Sequence, residues 1–279
     1  MKINEQQPAV MTLEQKRRVQ DRNIQSVFSE VLMESGRAGY ASAESSDTAV
    51  PLADLVEQSW HQWYQVERLG RYASPEAPQD LGQTFGNVLN KAYNEGAYVD
   101  PKAFLSGLSS EELDSIQSAH WLANSIEVNS LSEEGALNLL LPPAAQVDVN
   151  RDGLTQSGAA YSIRFPNSTT PPEVVVAWDA ATADLTFQER MTYELEMMLP
   201  AILSNIVLAP DGSYSHTRSP GDPDFSNPMA ADDYSYVKVT QDWIGHLDYF
   251  KSQLDPVRYE RDRGFWSSFQ EQLHNAGAK

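Results

Sequence analysis

Five hydroxyl residues each stand three places ahead of a Glu or Gln: Thr12 before Gln15, Ser109 before Glu112, Ser130 before Glu133, Thr170 before Glu173, and Thr186 before Glu189. At this spacing the hydroxyl accepts from an early helical N–H while the carboxylate or amide reaches back to the chain entering the helix. Two otherwise free donors are satisfied together. Each pair precedes an apolar pattern of helical period, so the repeated signal predicts a mainly α chain, a multi-helix globular domain.

The same period places helices over 12–35, 51–69, 78–94, 101–107, 110–127 and 131–141, with Pro142-Pro143 stopping the last. Ile24, Val27, Phe28, Val31 and Leu32 make an apolar stripe on the first helix. Leu52, Leu55, Val56, Trp60, Trp63 and Val66 do the same on the second. Small and polar residues from Gly36 to Val50 read as a linker. Residues 1–46 are therefore expected as an N-terminal helical arm with its linker, and 47–279 as a single mainly helical domain. Near 145–165 the pattern changes: Val147, Val149, Leu154, Tyr161, Ile163 and Phe165 predict a small β-hairpin or extended insert.

Helices resume over 171–181 and 187–207, although Val174-Val175-Val176 also suits a strand. Residues 209–233 are rich in Pro, Gly, Ser and Asp and are expected as a long structureless loop, a lid, binding loop or disordered segment. Two closing helices follow, the first presenting Tyr236, Val239, Trp243, Leu247, Phe250 and Leu254. The second starts at Asp255-Pro256 and presents Tyr259, Trp266, Phe269 and Leu273. Both are expected to close the core against residues 51–141.

Charge narrows the partners. The 279 residues carry a formal charge of −19, with a pI of about 4.5. Such a surface repels phosphate backbones and anionic membranes, so nucleic acid is not an expected partner. The chain has no cysteine, which removes disulfides, thiolate metal sites and cysteine nucleophiles. No stretch approaches the roughly 18 apolar residues of a spanning segment, so membrane insertion is not expected. Met1 to Val10 lacks the apolar run of a signal peptide. The cytoplasm is the default compartment, with signal-free export open.

One segment suggests a specific site. In Asp148-Val-Asn-Arg-Asp-Gly153, two carboxylates and an amide alternate and a glycine follows. Oxygens from Asp148, Asn150 and Asp152, with the carbonyl of Leu154, would meet at one hard cation, making calcium the candidate cofactor. To this extent the segment resembles the loop of EF-hand and dockerin modules, over about twelve residues. It departs from that pattern at Ala159, where a bidentate Glu or Asp is expected, and at Thr155, where an apolar residue is expected. Extended rather than helical residues follow, and Arg151 adds a positive charge. Affinity in the weak range, roughly 10⁻⁴ to 10⁻³ M, is what two loop carboxylates imply. The metal-free alternative is a turn, since Asn and Asp bond their own backbone and Gly accepts positive φ.

Catalytic signals are sparse. His61 with Glu57 and His246 with Asp242 share helix faces but lie on the solvent side or edge of their stripes, and His120 projects beside Leu113 and Ile116. No HExxH, GxSxG, Walker or dinucleotide-binding motif occurs. The expected role is a non-enzymatic interaction or structural protein, with calcium through 148–154 and a protein partner or self-association through the N-terminal helix. The alternative is a hydrolase-like enzyme with its site under the 209–233 loop, near Asp211, Ser213, Ser215, His216, Asp222 and Asp224.

Overall fold

Three of the five predicted capping boxes form, at Thr12, Ser109 and Thr186. They start α1 (Leu13–Glu34), α5 (Ser110–His120) and α8 (Phe187–Leu203). The other two fail because a nearer residue takes the cap. Ser132, not Ser130, caps α6 (Glu133–Leu139) by accepting from Gly135 N. Pro171 precedes α7 (Pro172–Ala181), while the Thr170 hydroxyl turns back to Asn167. The computed structural model describes residues 11–45 and 49–278. Met1 to Val10 and the expected division between 46 and 47 lie outside these.

The remaining helices are α2 (Leu52–Glu67), α3 (Leu81–Asn94), α4 (Pro101–Ser106), α9 (Tyr236–Tyr249) and α10 (Pro256–Ala276). The mainly α expectation holds. So does the small β insert: β1 (Thr155–Ser157) pairs antiparallel with β2 (Ala160–Ser162). The long-loop region differs in part. β3 (Ile206–Leu208) and β4 (Tyr214–Thr217) form a second antiparallel hairpin, so part of 209–233 is ordered as strand. Val174 to Val176 are helical: α7 buries Val174, Ala177 and Trp178 on one face, which outweighs the β preference of the branched run. The helix expected to reach 127 ends at Trp121, which takes a left-handed conformation (φ +53°).

Two apolar cores result. The first runs from Ile24 to Val147 and includes the aromatic group Trp60, Trp63, Tyr64, Tyr72 and Phe85. The second runs from Phe165 to Ala278 around Trp178, Tyr193, Trp266 and Phe269. The stripe of α1 is buried against α2 in the first core, so those residues are not available to a partner. Burying Ile24, Phe28 and Leu32 completely stabilises the chain by about 1.5–3 kcal/mol for each. The last two helices do not close that core; α10 packs on α7 and α9 within the second.

Between the cores lies a polar seam. Arg22 pairs with Asp179, and Arg18 donates to the Thr182 carbonyl at 2.7 Å. Ala41 N donates to the Ser168 carbonyl at 2.8 Å, and Asp148 N donates to Ser168 Oγ at 2.9 Å.

Candidate functional site

The seam contains a cavity of about 640 Å³, and helical spacing explains its lining. On α1, Glu14, Arg17, Arg18 and Asp21 fall at i, i+3, i+4 and i+7, one face of the helix. On α8, Phe187, Arg190, Met191 and Glu194 repeat the same spacing. Arg71 enters from the turn after α2, and Arg164 from the segment after β2. The site therefore gathers five guanidinium groups and four carboxylates (Glu14, Asp21, Glu67 and Glu194) in a chain of net charge −19.

The guanidinium groups are not equivalent. Arg17 is held by Glu14 at 2.7 Å and Glu67 at 2.8 Å. Arg190 is held by Glu194 at 2.7 Å. Arg164 has only neutral acceptors, the Pro143 carbonyl at 2.5 Å and Gln146 Oε1 at 2.8 Å. Arg18 bonds carbonyls of 182 and 183 and leaves its buried Nε without a partner. For Arg71, no hydrogen bond or ion pair to the guanidinium occurs among the described residues. Burial, then the nearby Arg190, lowers the Arg18 pKa. Burial also lowers Arg164, with Arg71 acting in the same direction. Three cations thus line one cavity without a carboxylate in ion-pair range among the described residues, an arrangement that a small anion would stabilise.

The carboxyls are shifted the other way. Burial pushes Asp21 up to about 6, against the indole N–H of Trp63, which donates to it at 2.6 Å. Burial raises Glu194 as well, opposed by Arg190. Gly70 belongs to the same wall. A Cβ there would strike the Arg17 guanidinium, so this glycine makes room for the Arg17 ion pairs.

The 148–154 segment forms a different kind of structure. Asp148 is buried, and its Oδ2 accepts from Gly153 N at 2.9 Å. Asn150 Oδ1 accepts from Asp152 N at 2.9 Å, and Asp152 Oδ1 accepts from Leu154 N at 2.8 Å. The Asn150 amide nitrogen faces Asp152 Oδ2 at 3.0 Å. Glu134 on α6 then clamps the segment, accepting from Val149 N, Asn150 N and Gln156 N at 3.0, 3.3 and 2.8 Å. Gly153 has φ +87°, and a Cβ there would crowd the Asn227 amide, which itself donates to the Arg151 carbonyl. Three of the four predicted ligands thus spend oxygens on backbone donors of the turn. Asp148 Oδ1 alone is buried without a partner, and burial, then Glu134 and Asp152, pushes this carboxyl up to about 7. Among the described residues no group of three or more His, Asp or Glu is placed to hold a metal.

The other candidates are apart from both places. His120 is bonded at both ring nitrogens, to the Leu139 carbonyl and Gln146 Nε2, and burial pushes its pKa down to about 3. Its role is structural. His216 lies exposed on β4 beside Ser215, and no residue of 209–233 lines the seam cavity.

The arginine cluster has no motif, since its members come from positions 17, 18, 71, 164 and 190. A readable sign lies in α1. Stepping back from Val31, Phe28 and Ile24 at helical spacing, the core-facing stripe continues as Asp21 and Arg17. Charges at core-facing positions mark a polar cavity rather than a packed interior. No family model, curated protein or solved structure matches the chain.

Proposed function

We propose that this chain is a non-enzymatic binding protein that takes a small anion into the seam cavity. The observation that carries this reading is the trio Arg18, Arg71 and Arg164, gathered in one cavity without carboxylate partners. Guanidinium groups present several donors in a fixed plane and match the oxygens of phosphate or carboxylate. The lining holds no histidine and no hydroxyl or thiol side chain, so carboxylates are its candidate nucleophiles or bases, and Glu14, Glu67 and Glu194 are already held in ion pairs by Arg17 and Arg190.

The test is a melting series in phosphate, sulfate and chloride at constant ionic strength. A ligand that binds only the folded state raises the melting temperature with its concentration. Phosphate or sulfate should raise it while chloride does not; equal shifts with all three would end the reading.

A second reading keeps calcium at 148–154, supported by the buried, unpartnered Oδ1 of Asp148. Calcium there would have to draw Asn150 Oδ1 away from the Asp152 N–H and compete with the internal turn. Millimolar calcium should then raise the melting temperature of the wild type and not of Asp148→Asn. No shift in the wild type removes this site.

A further inference from the structure

The cavity opens beside an unused apolar surface. Phe187, Met191 and Leu195 recur every four residues along α8 and are 54%, 51% and 50% exposed. Phe187 and Met191 belong to the cavity wall as well, so the exposed stripe continues directly from the charged interior. The same helix buries Tyr193, Met197 and Met198 in the second core, so its apolar surface runs from the packed interior out to the exposed stripe. Exposed apolar side chains aligned with a pocket mark a binding surface more specifically than scattered ones do.

We propose that the ligand of the seam cavity is a single anionic amphiphile, with a phosphate or carboxylate head on Arg71, Arg18 and Arg164 and an alkyl body along Phe187, Met191 and Leu195. This rests on the anion-binding reading of the same cavity and assigns the rest of the molecule. The two halves of the site answer two halves of one ligand. Charge complementarity fixes the head, while removal of CH₂ groups from water adds affinity along the stripe. A chain of net charge −19 is repelled by an anionic bilayer, so the monomeric molecule, not a membrane surface, is the ligand.

The experiment is calorimetric titration of the full chain with inorganic phosphate, octyl phosphate below its micelle concentration, and octanol. Phe187→Ser/Met191→Ser is the matched variant, because both side chains are exposed and their loss should leave the fold intact. Octyl phosphate should bind at least tenfold tighter than phosphate, the gain should vanish in the double variant, and octanol should bind far more weakly. The gain is read as the ratio of octyl phosphate to phosphate affinity within each protein, so a change in phosphate binding itself does not mask it.

Equal affinities for phosphate and octyl phosphate would overturn the amphiphile and leave the anion site standing. So would a gain that survives in the double variant, or octanol binding as tightly as octyl phosphate. Binding of neither phosphate nor octyl phosphate would remove both readings. Sedimentation with phosphatidic acid vesicles, in the absence of octyl phosphate binding, would place the function at a membrane and overturn the proposal.

Discussion

The 148–154 turn and the seam cavity are both polar enclosures, but they balance donors and acceptors in opposite ways. In the turn, one buried carboxylate, Glu134, accepts three backbone N–H groups, and Asp148, Asn150 and Asp152 accept three more. In the seam, guanidinium groups outnumber carboxylates, and Arg18 Nε and the whole Arg71 guanidinium lack acceptors among the described residues. A polar site that satisfies nearly all of its own groups, Asp148 Oδ1 apart, holds the chain in shape. One with surplus donors is stable only as far as water or a ligand supplies the difference. The first balance describes a structural element, and the second is what the proposed anion-binding role rests on.

Its sharpest test is Glu134→Ala. Three backbone donors would lose their acceptor at once, and unsatisfied buried donors cost about 1–3 kcal/mol each. Partial hydration should limit the loss to about 3 kcal/mol, read as a lower urea midpoint with an unchanged slope. Glu134→Gln keeps an acceptor oxygen and should lose about 1 kcal/mol. A Glu134→Ala variant within about 0.5 kcal/mol of wild type would show that the turn does not depend on this clamp.

Gly153→Ala tests the same turn through its backbone. A side chain at φ +87° is strained, and its Cβ would meet the Asn227 amide. The expected loss is about 1–2 kcal/mol, smaller than for Glu134→Ala because Asn227 can shift. Unchanged stability would mean that the 148–154 segment tolerates another conformation.

The difference in legibility between the two places has a physical cause. The turn lies within seven consecutive residues, and its Asx chemistry is local, so spacing alone exposed it. What spacing missed was Glu134, sixteen residues before Asn150, whose carboxylate occupies the position of an internal anion under the turn. The helices were legible for the same local reason, and caps failed only at Ser130 and Thr170, where a serine or proline two or one places on took over. The arginine cluster depends on contacts such as Arg18 with the carbonyl of Thr182, 164 residues away. No short window contains it. Only the passage from Ile24 to Asp21 and Arg17 on one helix face pointed toward it.

Acidity separates the regions again. Asp21 has a folded pKa of about 6, above its unfolded value of about 3.9. The folded chain therefore holds this proton more firmly than the unfolded chain between those limits. The contribution to stability is full at the acid end, is lost as pH rises through about 4 to 6, and is a constant penalty above. Asp21→Asn removes the ionisation but keeps an oxygen for the Trp63 indole. Relative to wild type it should be near neutral at pH 4 and about 1 kcal/mol more stable at pH 8, less than the full shift implies because Asp21 is only half-buried and solvent screens its charge. A pH-independent difference between the two proteins would show that Asp21 ionises as it does in water.

The smallest expected effect on stability is the one that most separates the two regions. Arg71 is exposed, and its guanidinium makes no hydrogen bond or ion pair among the described residues. Its backbone N–H, which donates toward Glu67, survives truncation. Arg71→Ala should therefore change the urea midpoint by no more than about 0.5 kcal/mol equivalent. Removing a cation that acts on Arg164 also relieves a like-charge repulsion, which favours the folded variant slightly. Phosphate-dependent stabilisation, by contrast, should fall at least tenfold in apparent affinity, because a cavity guanidinium whose donors are unpaired among the described residues is gone. A variant that keeps the phosphate response at full strength would place the anion elsewhere, and one that unfolds readily would show that Arg71 belongs with Glu134 among the groups that hold the chain together.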